Sequence, residues 1–528
     1  MKLAKKITPL FLTLLALLFA IPVGASAASS EDLTVVNGKI TACNPSAEGS
    51  LVIPEIINGT TVTAIGKEAF KNCSGLLSVT IPDTVTKIDR NAFIGCTNIK
   101  SVKFNGTDVT LADRVFFECV SLTTVTLPSE LKAIGDYDFS GCSSLNSIVL
   151  PDTLTSIGKN AFEGCAMQNV NIPASVTSIG ENAFAGCGNV KAYSVDEANT
   201  SYKSDAAKAL FNYEMTKLIY FPAASTKTDY TLPETVEEIG ELAFSKNAEI
   251  QTVTASSSLK KIDAYAFSEC SGLLSVTLNE GLEEIGNLAF NRCDQLYEIT
   301  VPSTVTSYNS AFYASGIQKA VISQGVEVID RGAFDTCKKL EEVTIPSSVT
   351  EIKQGAFANC ESLTTLTVPA TVTEIDKTAF FGIKDNITLI VEAGSPALTY
   401  ARENSIKYTV PGSTKASIAI KNSTGAKTVN YGETLVMEAV VTNAGEGDLI
   451  KWTASDGTSS TEKEFSVSPV SGKVTVTVSV VDEDGNVKID ENGNEVSAKI
   501  EVSVNSGIFK KIISFFKNLF RMDRRVWL

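Results

Sequence analysis

Between Cys73 and Cys96 the apolar residues fall at Leu76, Val79, Ile81, Val85, Ile88, Ala92 and Phe93, with polar or small residues between them. Val79-Thr80-Ile81 alternates with a period of two and Pro82 follows it, which predicts a short strand with Val79 and Ile81 turned inward and Thr80 outward. The next stretch, Val85 to Phe93, has spacings near three and too few residues for an independent helix. It predicts short helical or 3₁₀ turns on the opposite, convex side. Phe93 then covers the core from that side. The pattern returns throughout the chain: counted from Phe70, the same phenylalanine stands at Phe93, Phe116, Phe139, Phe162, Phe184, Phe244, Phe267, Phe290, Phe312, Phe334, Phe357 and Phe380. The steps are 22 or 23 residues, with one of 60. A period of this size predicts a solenoid, because one such unit cannot bury its own apolar face and needs neighbours on both sides. Within it, loss of the ring at Phe267, in mid-array, is expected to cost more than loss at Phe380, near the end.

The unit Cys-x-x-Leu-x-x-Val-x-Ile-Pro-x-x-Val-x-x-Ile-x-x-x-Ala-Phe-x-x-Cys resembles the leucine-rich repeat of BspA-like bacterial surface proteins. Leu51-Val52-Ile53-Pro54 with Val62 to Gly66 reads as an entry repeat. Ala393-Gly394-Ser395 with Tyr400-Ala401 and Glu403-Asn404 resembles that family's closing unit. The 60-residue step, with Leu210-Phe211, Leu218 to Pro222 and Tyr230 to Pro233, reads as extra strand layers in one continuous solenoid. The fold class is therefore mainly β with short helical turns: a curved leucine-rich repeat solenoid over residues 28–410. The resemblance implies adhesion to host or neighbouring-cell proteins.

Ten of the eleven cysteines occupy one repeat position, where Asn247, Ser315 and Ile383 stand in other copies. Stacked strands lie about 4.8 Å apart with parallel Cβ vectors, whereas a disulfide needs Cβ atoms about 3.8 Å apart. This predicts a ladder of free, buried thiols set by packing, with disulfides between neighbouring layers as the alternative; in the ladder serine at Cys142 would lack a partner. Cys43 falls outside the ladder.

The chain has no histidine, which removes Ser-His-Asp and Cys-His arrangements, histidine metal sites and a histidine general base. The acidic pairs Glu283-Glu284 and Glu341-Glu342 are sequence neighbours with no aromatic platform beside them, and read as solvated charge rather than a glycosidase pair. No enzyme activity and no cofactor are expected.

Residues 1–27 carry Lys2, Lys5 and Lys6, an apolar run from Leu10 to Val23 and Ala25-Ser26-Ala27, the pattern of a secretory signal peptide. The mature chain is expected to be secreted and monomeric, or held at the cell surface. From about Pro411 the repeat gives way to alternating strands around Trp452 and Phe465. Residues 411–506 are similar to a bacterial immunoglobulin-like β-sandwich without the cysteine pair of antibody domains. Asp482 to Asn486 and Asp490 to Asn494 place their glycines for hairpin turns rather than for a helical calcium loop.

Residues 507–528 form an amphipathic pattern with Lys510, Lys511, Ser514, Lys517, Asn518 and Arg521 on one side and Phe509, Phe515, Phe516 and Phe520 among the apolar residues of the other. This tail holds six basic and one acidic side chain. Without it and the three leading lysines the chain has 36 basic against 59 acidic residues. A basic helix with an aromatic face is suited to an anionic membrane, with Phe509, Lys510, Lys511, Phe516, Lys517, Phe520 and Arg521 as the contact residues, while the acidic body argues against nucleic acid.

Positions flanking the inward Val-x-Ile face outward on the concave side. Threonine recurs there, at Thr80, Thr126, Thr254, Thr277, Thr300, Thr344 and Thr367, and variety comes from Lys100, Lys103, Tyr297, Glu298, Gln318, Lys319, Glu341 and Glu342. These eight are the candidate contacts for a protein or glycoprotein ligand, Tyr297 with Glu298 first among them. The alternative is a carbohydrate-binding or cell-wall-associated scaffold.

Overall fold

In a computed structural model, residues 27–412 and 416–505 are described, apart from positions 423, 426, 431–432, 446, 470–471 and 491–492. The predicted tail helix, and the signal segment except Ala27, lie outside the described residues. The chain divides into two compact units, Met1–Ala320 with Asp330–Lys338, and Val321–Ile329 with Lys339–Leu528.

In the first unit most repeats contribute to two parallel strand columns rather than one. The predicted strand forms the first column: Leu76–Ile81, Ser101–Phe104 and Thr124–Thr126 pair in register as Ser78↔Ser101↔Thr124 and Thr80↔Lys103↔Thr126. The second column occupies part of the stretch predicted as helical turns, where Lys87–Ile88 pairs with Ala64–Ile65 on one side and Thr110–Leu111 on the other. The remainder, around each phenylalanine, is a chain of turns, not 3₁₀ helix. Its backbone alternates between local and interlayer bonds: Cys96 N–H donates to Phe93 C=O (3.2 Å), while the Phe93 and Gly95 N–H groups donate to Val115 and Phe117 of the next layer (both 2.9 Å). Bonding to the next layer satisfies every second amide, which an isolated 3₁₀ turn cannot do. It requires left-handed residues two before and two after the ring, such as Asn91 (φ 61°) and Gly95 (φ 70°) around Phe93.

The rings form a continuous column. Phe93 lies 4.5 Å from Phe70 and 5.3 Å from Phe116, and Phe244, Phe267 and Phe290 follow at 4.7 and 4.9 Å with nearly parallel planes. The 60-residue step is an antiparallel meander, Tyr202–Ser204, Leu210–Asn212 and Lys217–Tyr220, whose last strand rejoins the parallel column at Glu238–Ile239. Tyr220 meets Phe184 edge-on at 6.0 Å and Phe221 stacks on Phe244 at 4.9 Å, so aromatic packing continues across the inserted segment.

The second unit carries the closing repeats and the C-terminal strands. Thr365–Val368, Thr388–Val391 and Lys407–Thr409 pair in parallel. Helix Pro396–Glu403, capped by Ser395, buries Ala397, Leu398 and Ala401. Phe380 is not a bare end of the column, as the sequence suggested: it lies between Phe357 (5.8 Å) and the helix residue Tyr400 (6.2 Å) and is 1% exposed. Beyond it, a three-stranded sheet (Ser417–Asn422, Leu435–Thr442, Glu464–Val467) and a five-stranded sheet that includes Leu449–Ala454, Lys473–Val481 and Ser497–Asn505 enclose Met437, Val476, Val478 and Val502 around Trp452. The Trp452 ring stacks on Phe465, and its Nε1–H donates to Glu462 C=O at 2.9 Å.

Candidate functional site

Three surfaces were open to chemistry: the strand face, the cysteine column and the acidic turns. On the strand face the inward residues Val79, Val102, Val253, Val276 and Ile299 are buried, and the rows between them are exposed. Thr254 pairs with Thr277, and Thr252 with Ser275, forming small, hydroxyl-rich rows.

Within the first unit the structure does not bring its six candidate residues into one place. Lys100 and Lys103 lie together on an early layer, Lys103 between Thr80 and Thr126 in its row, and the Lys100 C=O accepts from Thr123 N–H and Oγ1–H (both 2.9 Å). Tyr297, Glu298, Gln318 and Lys319 form a second group, in which the Gln318 and Lys319 N–H groups donate to Tyr297 C=O at 2.8 and 3.3 Å. Glu341 and Glu342 belong to the second unit, where both are exposed. Phe509, Lys510, Lys511, Phe516, Lys517, Phe520 and Arg521 lie outside the described residues.

Sequence reasoning missed the apolar neighbours of these groups. Leu274 is 43% exposed and directly precedes Tyr297 in its row, since Tyr297 N–H donates to Leu274 C=O at 3.1 Å; Tyr297 itself is 54% exposed. Both side chains face solvent, in a row that runs from Gln251 through Leu274 and Tyr297 to Gln318. Val149, 84% exposed, occupies the row position of Thr126 one layer on. A signal was available: aligned by repeat, Val149 replaces the recurrent threonine, and Leu274 stands where Lys100 and Thr123 stand.

Most thiols of the buried column also donate a hydrogen bond, which adds to the packing account. Each thiol from Cys96 to Cys187 reaches back to the carbonyl of the preceding layer's phenylalanine: Cys96 to Phe70 (2.9 Å), Cys119 to Phe93, Cys142 to Phe116, Cys165 to Phe139 (each 3.2 Å) and Cys187 to Phe162 (3.1 Å). Cys270, Cys293 and Cys337 repeat the bond. Asn247 fits the slot because its Nδ2–H donates to Pro222 C=O at 2.8 Å. Burial pushes the thiols of Cys142, Cys165, Cys270 and Cys293 up, and those of Cys187 and Cys337 to about 12, so these six are protonated donors rather than nucleophiles. Cys142→Ser keeps the donor, so it should be more stable than Cys142→Ala by about 1 kcal/mol in urea unfolding, the worth of one buried hydrogen bond. Equal stability of the two variants would contradict a donor role.

The acidic turns are self-satisfied. Asp482 accepts from Asn486 N–H (2.8 Å) and Nδ2–H (3.2 Å), and Asp490 accepts from Asn494 N–H (2.8 Å), so these carboxylates close hairpin loops. Among the described residues no group of three or more Cys, Asp or Glu side chains could hold a metal ion, and no helix is long and apolar enough to cross a membrane.

A family model described as BspA type leucine rich repeat region matches residues 63–191, 109–230, 220–312 and 308–409. Among solved structures, the chain is similar to the pneumococcal vaccine antigen PcpA, with 22% identity over 73% of this chain and 98% of that one and a TM-score of 0.56. It is also similar to a leucine-rich repeat protein from Eubacterium ventriosum (25% identity, 65% and 89% covered, TM-score 0.54) and to a leucine rich cell surface protein from Faecalibacterium prausnitzii (29% identity, 65% and 91% covered, TM-score 0.49). No curated protein matches. The family match and the likeness to PcpA bear out the mainly β solenoid, and the matched family is a repeat scaffold with no enzymatic domain among the matches.

Proposed function

Because the chain belongs to the BspA-type leucine-rich repeat family, we propose that it is an exported, surface-displayed interaction protein whose solenoid strand face binds a protein or glycoprotein ligand in adhesion. The observation that carries this reading is the Leu274–Tyr297 pair, two large exposed side chains in adjacent layers of a row whose neighbours, Gln251 and Gln318, are polar. Aromatic anchors ringed by polar groups are the usual energetic centres of protein interfaces. Sugar recognition would favour a series of exposed aromatics along one face. Here the repeat phenylalanines are buried in the column, which favours a protein surface over a bare glycan. In this reading the two C-terminal sheets are an immunoglobulin-like sandwich that holds the solenoid outward, and the basic tail adds attachment to anionic lipid.

The test passes the chain, with and without residues 507–528, over immobilised extracellular-matrix glycoproteins, a glycan array and phosphatidylserine vesicles. Glycoprotein binding is expected to survive tail removal and to weaken about 30-fold in Tyr297→Ala, an interface anchor worth about 2 kcal/mol. Vesicle binding is expected to depend on the tail. Glycan binding that ignores Tyr297 would favour the carbohydrate-scaffold reading, and glycoprotein binding unchanged by Tyr297→Ala would remove this face from the interface.

A further inference from the structure

The first layer of the stack departs from the donor rule, and the departure places two cysteines against each other. In the regular layers the ring residue donates its N–H to the next layer: Phe70 to Ala92 (2.8 Å), Phe93 to Val115 and Phe116 to Asp138 (both 2.9 Å). Cys43 makes the same bond, to Ala69 at 2.7 Å. Cys43 therefore stands at the ring position beneath Phe70, inside the stack rather than outside the ladder as its sequence spacing suggested. The ladder geometry aims each thiol at the ring position of the preceding layer, and for Cys73 that position holds Cys43. Cys73 makes no thiol bond to a ring-position carbonyl among the described contacts, while Cys43 reaches only its neighbour Asn44 C=O, at 3.6 Å. The register thus sets the Cys73 thiol beside Cys43.

We propose that Cys43 and Cys73 form a redox-sensitive pair that closes to a disulfide and locks the N-terminal layer onto the solenoid, while the remaining thiols stay reduced. The rest of the column is held by carbonyl bonds and by parallel Cβ vectors at one strand spacing, an arrangement unsuited to bridging. This pair instead joins two different positions of adjacent layers. It also lies at the end of the array, with Cys43 6% and Cys73 1% exposed, so a small opening of one terminal layer admits a reagent. Their contact further pulls the Cys73 thiol below its ordinary range, with the Cys43 thiol pushed above its own, whereas burial raises the thiols of Cys142, Cys165, Cys187, Cys270 and Cys293.

The chemistry balances with an external disulfide, R–S–S–R, as oxidant. One cysteine sulfur, as thiolate, attacks R–S–S–R and expels RS⁻, giving a protein–S–S–R mixed disulfide. The second cysteine gives its proton to the expelled thiolate, and its sulfur displaces the remaining RS⁻. Two cysteine thiols become one cystine, and R–S–S–R becomes two RSH once the last thiolate takes up the first cysteine's proton.

The experiment incubates the reduced full-length chain with glutathione disulfide, alkylates it under denaturing, non-reducing conditions and maps it by mass spectrometry. The expected result is about nine labelled thiols of the eleven present, a loss of two hydrogens, and a single cross-linked peptide pair joining Cys43 to Cys73. Cys43→Ser and Cys73→Ser should each leave every remaining thiol labelled, whereas Cys142→Ser should still form the cross-link. Eleven labelled thiols, or a first cross-link between Cys96 and Cys119 or any other pair, would overturn the proposal. The map of the unaltered chain decides this even where a variant fails to fold.

Discussion

Phe267→Ala is expected to destabilise the chain by about 3–5 kcal/mol in urea unfolding, with a lowered midpoint and an unchanged far-UV spectrum in the absence of denaturant. The ring is fully buried and lies between two others, 4.7 Å from Phe244 and 4.9 Å from Phe290, with planes within 7° and 5° of parallel. Truncation removes its transfer free energy and opens a cavity that neighbouring layers cannot close, because each is held to the next by backbone bonds such as Phe267 N–H to Ala289 C=O at 2.7 Å. Phe267→Leu, which keeps most of the volume, should cost under about 1.5 kcal/mol. At Phe380 the loss should approach that at Phe267, since Tyr400 covers the ring from the closing helix. A loss at Phe267 below about 1 kcal/mol would mean that the rings do not act as a packed column.

The second large effect concerns Asp138, which stands where most repeats have alanine before the ring. Its carboxyl is fully buried, and burial pushes it up from 3.8 to about 7 although it accepts the Val115 and Gly135 N–H groups at 2.9 and 2.7 Å; Asp113 and Asp136 nearby push the same way. A carboxyl whose folded value is raised holds its proton more tightly in the native state. Its contribution is therefore favourable below about pH 4 and is lost as pH rises towards 7. The full amplitude is on the order of 4 kcal/mol. The measurement is unfolding free energy from pH 3.5 to 8.5 for the native chain and for Asp138→Asn. The difference, native minus variant, should fall between about pH 4 and 7 and flatten above. A flat difference throughout would show that Asp138 does not titrate in this window.

The ring column, the inward Val-x-Ile and the closing unit near Tyr400 were legible in the sequence because they depend on local period alone. A step of 22 or 23 residues forces layers to stack, and stacking decides which residues of each layer are buried. The exposed rows followed for the same reason, so Lys100, Lys103, Tyr297 and Glu298 were placed on the strand face before any coordinates. Everything that depends on what one layer offers the next was not legible. The period does not say that Cys142 faces the Phe116 carbonyl, so a slot that also accepts Ile383 read as packing alone, although cysteine and asparagine there donate as well. It does not say that Lys87–Ile88 forms a second strand column, because two residues carry no alternation and gain their pairing only from neighbours above and below. Cys43 was missed because its step to the next ring position, Phe70, is longer than the 22 or 23 residues of the other layers, and only the bond from its N–H to Ala69 shows that it fills the ring position. The sequence determined the architecture through its period. The tertiary structure decided the hydrogen-bond partners, because these are fixed by the registry of layers about one strand spacing apart and not by any residue's own neighbours in the chain.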